Sequence, residues 1–167
     1  EKVFLHNLAD KMVSRVVHQE SKAAVQPAGV RAKILPLPAF MRRFITEKIT
    51  RAFMRDVHDF LFVEERRRAM EQSLIERIEA GGGPFVIVAH SQGSMIAYNV
   101  LRRLSPSQCK VPLLVTIGSP LGISEVQDVL RQFAGKPSGK LPFPPCVDRW
   151  INVAAYFDPV AADPSLA

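Results

Sequence analysis

Three short apolar segments, separated by helix-like stretches, constrain the fold more than any other feature of this sequence. They cover residues 85–89, 111–117 and about 150–156. The first is a continuous apolar run rather than an alternating one, which predicts a strand buried on both faces of a parallel sheet. The second is predicted to be a further buried strand, and the third to be a strand of the same sheet. The order strand–helix–strand–helix–strand favours an α/β fold in which right-handed crossovers place helices against the sheet.

Helical patterns fill the connections and the first half of the chain. Proline and glycine mark residues 21–38 and 134–147 as loops. The 167 residues and the 47% hydrophobic content suffice for one packed domain. Apolar residues that recur on one face predict helices over residues 1–20, 39–62, 64–80, 93–104 and 123–133.

A serine motif lies between the first predicted strand and the helix that follows it, with Ser91 at its centre. A sharp strand-to-helix turn strains the backbone of its central residue and needs small neighbours two positions away, which Ala89 and Gly93 supply. The turn would lift Ser91 clear of the sheet, at a helix N-terminus where the backbone N–H of Gln92 can stabilise an oxyanion. The alternative is that Ser91 only caps the helix.

The residues around Ser91 resemble the nucleophile elbow of lipase- and esterase-like α/β-hydrolases. Residues 115–122 are similar to the next strand of that superfamily and its loop, and residues 150–160 to the strand that leads to the catalytic acid. The resemblance covers about residues 84–161. One departure is Ala89, where many members have glycine.

The resemblance implies a partial α/β-hydrolase fold, a mostly parallel sheet flanked by helices. We expect residues 1–167 to form a single but incomplete domain of this kind. Residues 84–161 would be its core, and residues 1–80 a helical portion that could cover the active site.

The same resemblance implies a serine hydrolase that cleaves an ester-like carboxylic bond of a small molecule or lipid through an acyl-enzyme. Ser91 would be the nucleophile and Asp158 the acid that orients a histidine. Asp158 also directly follows an apolar strand, where functional residues gather in open α/β sheets. Capping of the turn before Pro159 is the alternative for Asp158, and Asp163 is the reserve acid. For the function, the alternatives are an acyltransferase or peptidase with the same triad, or an inactive binding module.

The general base is not evident in this sequence. The superfamily order is serine, acid, histidine, but His6, His18 and His58 precede the motif in helical stretches, where we interpret them as surface or boundary residues. His90 points away from the catalytic position in such a turn, and we interpret it as a packing or hydrogen-bonding residue. We therefore expect the sequence to be part of a larger chain, with the histidine beyond Ala167 and the second oxyanion donor also elsewhere.

Charge and composition argue against several other classes of protein. The net charge is +6, with basic clusters at residues 42–43, 66–68 and 102–103, which we interpret as solvated helix faces. No basic stripe or reader motif indicates nucleic-acid binding, whereas attraction to an anionic membrane surface stays open. No apolar run reaches the ~18 residues of a membrane-spanning helix.

Metal and cofactor binding are not predicted, because no cluster of histidine, cysteine and carboxylate has ligand spacing. The chain has only two cysteines, Cys109 and Cys146. We interpret them as ordinary thiols, which fit a reducing, cytoplasmic compartment. The sequence does not indicate an oligomeric state.

Overall fold

The structure is a computed structural model that describes residues 39–136 and 138–154, with the backbone alone at residues 39–50, and the isolated helical residues Val3, Asn7 and Asp10. The chain divides into two compact units, Glu1–Asp56 and Val57–Ala167. Apart from those three positions, the helix predicted over residues 1–20 and the loop over 21–38 lie outside the described residues.

The described helices agree closely with their predicted positions. Helices predicted over residues 39–62, 64–80 and 123–133 are each confirmed to within one residue, and the helix predicted over 93–104 begins one residue earlier and ends three residues earlier. A 3₁₀ turn at Pro120–Gly122 precedes the helix Ser124–Phe133. The helices are α1 (Ala39–Phe62), α2 (Glu64–Glu79), α3 (Gln92–Leu101) and α4 (Ser124–Phe133).

The three predicted strands form one parallel sheet. β1 spans Val86–His90, β2 spans Leu113–Ile117 and β3 spans Trp150–Val153, in the order β1-β2-β3. Val86 lies opposite Leu113 and His90 opposite Ile117, so the carboxyl ends of the strands share one edge. The predicted α/β class, a parallel sheet flanked by helices, is confirmed.

Helices α2 and α3 pack on one face of this sheet. Ala89 of β1 and Leu114 of β2 belong to a buried cluster with Ile78 of α2 and with Val100 and Leu101 of α3. Full burial of one such aliphatic side chain contributes roughly 1.5–3 kcal/mol. This apolar layer therefore holds the two helices against the sheet.

The opposite face of the sheet is exposed. Val86 and Val88 are 65% and 63% exposed, and Ile117 and Val153 are 37% and 46% exposed. The prediction that β1 is buried on both faces is therefore wrong in this structure. A continuous apolar run makes burial on both faces favourable, but burial also needs a second layer, and the residues of α2 and α3 in the buried cluster meet only the other face.

Arg67 connects three helices. Its Nη1 donates to the carbonyls of Phe60 and Leu61 at the end of α1, both at 3.3 Å, where helix carbonyls lack partners within the helix. Its guanidinium lies 4.4 Å from the ring centroid of Phe133 in α4, a distance at which the cation and the ring attract.

The basic clusters at residues 66–68 and 102–103 are only partly solvated, while the side chains of the cluster at residues 42–43 lie outside the described part of the structure. Arg66 and Arg68 are exposed and form ion pairs with acidic neighbours, as expected of a solvated helix face. The expectation is wrong for Arg67, which packs on an aromatic ring, and for Arg102, which is half-buried. Burial lowers the pKa of Arg102, and its Nε donates to Asn99 Oδ1 at 2.7 Å.

A buried carboxylate clamps α2 to α3. Glu71 is 4% exposed. One of its oxygens accepts a hydrogen bond from Asn99 Nδ2, and the other accepts one from Arg103 Nη2 at 2.7 Å. A buried carboxylate without such donors would cost several kcal/mol, so the clamp depends on both partners.

We expect Glu71→Ala to lower the free energy of unfolding by about 1–3 kcal/mol, because buried Asn99 and half-exposed Arg103 lose their acceptor. Glu76→Ala is the matched control: Glu76 lies on the same helix but is exposed, and its loss should cost less than about 0.5 kcal/mol. Urea denaturation of both variants measures the difference. Equal losses would show that the clamp adds nothing.

Tyr98 is the largest fully buried side chain in the described part of the protein and joins α3 to the segment before β3. Its hydroxyl donates to the carbonyl of Pro142 at 3.1 Å. Its ring stacks on Trp150 with 5.9 Å between the centroids. Burial raises the pKa of Tyr98 to about 12, because the ionised phenolate would lose its hydration.

This raised pKa predicts alkaline destabilisation. The contribution of Tyr98 is fully present below its unfolded pKa of 10.0 and is lost as the pH rises towards the folded pKa of about 12. Between about pH 8 and about pH 11, the urea midpoint of the wild type should fall further than that of Tyr98→Phe. The variant retains every other titrating group, so the difference reports on Tyr98. If both proteins lose the same stability, Tyr98 does not titrate differently on unfolding.

Candidate active site

Ser91 stands on the turn between β1 and α3 in a strained backbone conformation. Its φ is 49° and its ψ is −123°, and it is the one non-glycine residue with positive φ in the described part of the chain. Such a conformation costs of order 1–3 kcal/mol and persists only where its surroundings hold it. The positive φ predicted for Ser91 is confirmed.

Hydrogen bonds hold the backbone of Ser91 on both sides. Its N–H donates to the carbonyl of Ile117, the last residue of β2, at 2.9 Å. Its carbonyl accepts from the backbone N–H of Ser94 at 3.0 Å and from the Ser94 hydroxyl at 2.6 Å. The strained residue is therefore tied to the neighbouring strand and to the first turn of α3.

Ser91 does not serve as an ordinary helix cap. It occupies the N-cap position of α3, but its side chain makes no capping hydrogen bond. A capping serine has an extended backbone, and its oxygen accepts from the second or third N–H of the helix. The structure thus disagrees with the alternative that Ser91 only caps the helix.

Gln92 and the two small residues surround the turn. Gln92 is the first residue of α3, so its backbone N–H lies at the positive end of the helix dipole, and its side-chain Nε2 donates to Met70 Sδ at 3.4 Å. Ala89 is 6% exposed within the buried cluster, where a larger side chain has little room. No described atom beyond its own helix lies within 4 Å of a Cβ built on Gly93, so the steric reason expected for a small residue is visible only at Ala89.

The loop after β2 contacts the first turn of α3. Gly118 has a φ of 55°, a conformation that favours glycine, and its N–H donates to the carbonyl of Val153 at 3.0 Å. Directly after this turn, the Ser119 hydroxyl lies 2.7 Å from that of Ser94 and accepts from the Leu121 N–H at 3.2 Å. Sequence reasoning assigned no role to Ser94 or Ser119, although both lie in segments that carry the resemblance.

The predicted acids lie outside the described residues, as do His6 and His18. The roles of Asp158 and of the reserve acid Asp163 stay predictions. The strand that leads to them, β3, runs parallel to β2 and ends at the same edge of the sheet as β1.

The described histidines are His58 and His90. His90 is exposed on the face of the sheet that carries Val86 and Val88, so it does not pack in the core. His58 is half-buried, as expected of a boundary residue, and its Nδ1 lies 3.3 Å from Asp59 Oδ1. The pKa of Asp59 is lowered, mainly because its carboxylate accepts a hydrogen bond from Arg66 and to a smaller extent because His58 lies beside it.

No group of three or more histidine, cysteine, aspartate or glutamate side chains in the described part of the chain could hold a metal ion. None of the helices in that part combines the length and the apolar character that a membrane crossing needs.

A serine held at positive φ between a parallel strand and a helix, at the carboxyl edge of an α/β sheet, has the backbone geometry of the strand–turn–helix motif of α/β-hydrolases. The described sheet and helices are compatible with part of that fold. A family model described as "Serine hydrolase" matches residues 44–165, well over half of the chain, and the chain belongs to this family. No curated protein and no solved structure matches this sequence.

The strain at Ser91 makes a prediction about stability. Ser91→Gly should unfold with a free energy about 1 kcal/mol higher than Ser91→Ala, because glycine adopts positive φ at little cost while alanine keeps the strain. The greater freedom of glycine in the unfolded chain offsets part of this gain. Denaturant unfolding of the two variants measures it, and a Ser91→Gly variant less stable than Ser91→Ala would show that the turn stores no strain.

Proposed function

We propose that this protein is a hydrolase in which Ser91 attacks an ester-like carbonyl and forms an acyl-enzyme. The observation that supports it best is the strained Ser91 backbone, combined with a side chain that caps no helix. Strain of this kind concentrates at functional sites. Membership of the serine hydrolase family supports the same general chemistry.

In the proposed first step, Ser91 Oγ adds to the carbonyl carbon of the substrate and its proton passes to a histidine. The carbonyl oxygen becomes an oxyanion near the N-terminus of α3, where the backbone N–H of Gln92 is one proposed donor. When the intermediate collapses, the alcohol leaves with the proton from the histidine and the acyl group stays on Ser91. Water, activated by the same histidine, then releases the acid and restores the serine.

Asp158 is the proposed acid, and the proposed base is a histidine that the α/β-hydrolase order would place beyond Ala167. Two points support Asp158. An acid that follows the serine in the chain agrees with that order, and β3, which precedes Asp158, is parallel to β2 and ends at the edge where Ser91 stands. The aspartate would fix the tautomer of the histidine and stabilise its protonated form. The proposed substrate is a small-molecule or lipid ester.

A fluorophosphonate probe and an activated short-chain ester test this proposal on the intact protein. We expect the probe to label Ser91 covalently, and we expect Ser91→Ala to abolish labelling and lower kcat on the order of 10³-fold or more, because triad residues act as a unit. Asp158→Asn should also lower kcat on the order of 10³–10⁴-fold. Peptide mapping of the labelled protein identifies the modified serine.

Ser107→Ala is the matched control, because Ser107 is an exposed serine in the turn after α3. This variant should be labelled like the wild type. Circular dichroism should show that Ser91→Ala stays folded. If the intact protein resists the probe and Ser91→Ala behaves as the wild type, the protein is a binding module rather than a hydrolase.

A further inference from the structure

We propose that Ser94 and Ser119 are positioning residues that hold and polarise the peptide group donating to the oxyanion. Their hydroxyls form a serine bridge, the series of hydrogen bonds that runs from the Leu121 N–H through Ser119 and Ser94 to the carbonyl of Ser91. This inference rests on the proposed function, because it assigns the bridge a role in the same site.

The hydrogen bonds of the serine bridge all point the same way. A serine hydroxyl has one proton to donate and two lone pairs to accept with. The Ser94 hydroxyl donates to the Ser91 carbonyl at 2.6 Å. In the 2.7 Å contact between the two hydroxyls, Ser119 must therefore be the donor. Ser119 in turn accepts from the Leu121 N–H at 3.2 Å.

The bridge ends on the peptide group that matters most for the proposed chemistry. The carbonyl of Ser91 and the N–H of Gln92 belong to one planar peptide unit. With the Ser94 hydroxyl at 2.6 Å and the Ser94 N–H at 3.0 Å, the Ser91 carbonyl accepts two hydrogen bonds. These bonds fix the plane of the peptide and draw electron density towards its oxygen, which makes the Gln92 N–H a stronger donor.

Burial strengthens this effect. Ser94 and Ser119 are both 0% exposed, so bulk water does not compete for their hydroxyls. Hydrogen bonds in series polarise one another, and they are stronger in the low dielectric of the interior. The serine bridge thereby links the loop after β2 to the electrostatics of the turn at Ser91.

A purely structural role predicts a different outcome. If the hydroxyls only satisfy each other in the core, their removal lowers stability and leaves the chemistry of the folded enzyme unchanged. If they orient and polarise the donor, their removal slows both formation and hydrolysis of the acyl-enzyme, since an oxyanion forms in each step. The bridge therefore affects kcat rather than KM.

The test compares Ser119→Ala and Ser94→Ala with the wild type in the intact protein. The readouts are kcat and KM for an activated short-chain ester and the rate constant for fluorophosphonate labelling. We expect kcat and the labelling rate to fall on the order of 10-fold with KM nearly unchanged, less than the ~10²–10³-fold loss that follows removal of an oxyanion donor. Ser94→Ala also favours helix formation, so it keeps the test open if Ser119→Ala folds poorly.

Thr116→Val is the matched control. Thr116, in β2, also carries a fully buried hydroxyl; it donates to Asn152 Oδ1 at 2.8 Å and accepts from Trp150 Nε1 at 3.0 Å. Its removal should destabilise the protein by a similar amount but leave kcat and the labelling rate within about twofold of the wild type. A loss of kcat as large as that of Ser119→Ala would overturn the proposal.

The double variant Ser94→Ala/Ser119→Ala adds a second criterion. Because Ser119 acts only through Ser94, the double variant should lose no more kcat than Ser94→Ala alone. Multiplied losses would mean that the two residues act independently, which contradicts the bridge.

Ser91→Ala separates the two proposals. If Ser91→Ala retains labelling and turnover, the proposed function fails. If Ser91→Ala is inactive but Ser119→Ala and Ser94→Ala turn over like the wild type, the hydrolase proposal stands and only the serine bridge fails.

Discussion

The parallel pairing of β1 with β2 determines the geometry of the whole candidate site. Its last pair sets His90 opposite Ile117, and the next residue, Ser91, still donates its N–H to the carbonyl of Ile117. The chain therefore begins its turn while attached to the neighbouring strand. A register shift of one residue would exchange the two faces of β1 and remove the acceptor that holds Ser91.

Polar groups inside the packed layer fix the positions that apolar contacts leave open. Hydrophobic burial is non-directional, so the apolar cluster alone would allow α3 to slide along the sheet. Glu71 binds Asn99 and so sets α2 against α3, while the contact of Ser94 with Ser119 sets α3 against the loop after β2. Each of these groups is buried and has a partner, which makes its position specific.

The stability that the packed face supplies is partly used to maintain strain at the turn. Native proteins are stable by only about 5–15 kcal/mol, and a residue such as Ser91 costs of order 1–3 kcal/mol of that. The cost is tolerated because the bonds to Ile117 and Ser94 over-determine the backbone there. The exposed face of the sheet, which carries Val86 and Val88, makes no such contribution among the described residues.

Local signals in the sequence determined the elements and the turn. Side-chain periodicity, proline and glycine act over a few residues, so helix Ala39–Phe62 was predicted at its observed bounds, and the small residues around Ser91 predicted its positive φ. Only the tertiary structure decided which face of the sheet is covered by helices. It also decided that Arg67 packs on the ring of Phe133 and that the hydroxyls of Ser119 and Ser94 form a hydrogen bond. Those contacts join residues far apart in the chain, such as two serines 25 positions apart, and their energy depends on strand register and helix placement, which no local pattern encodes.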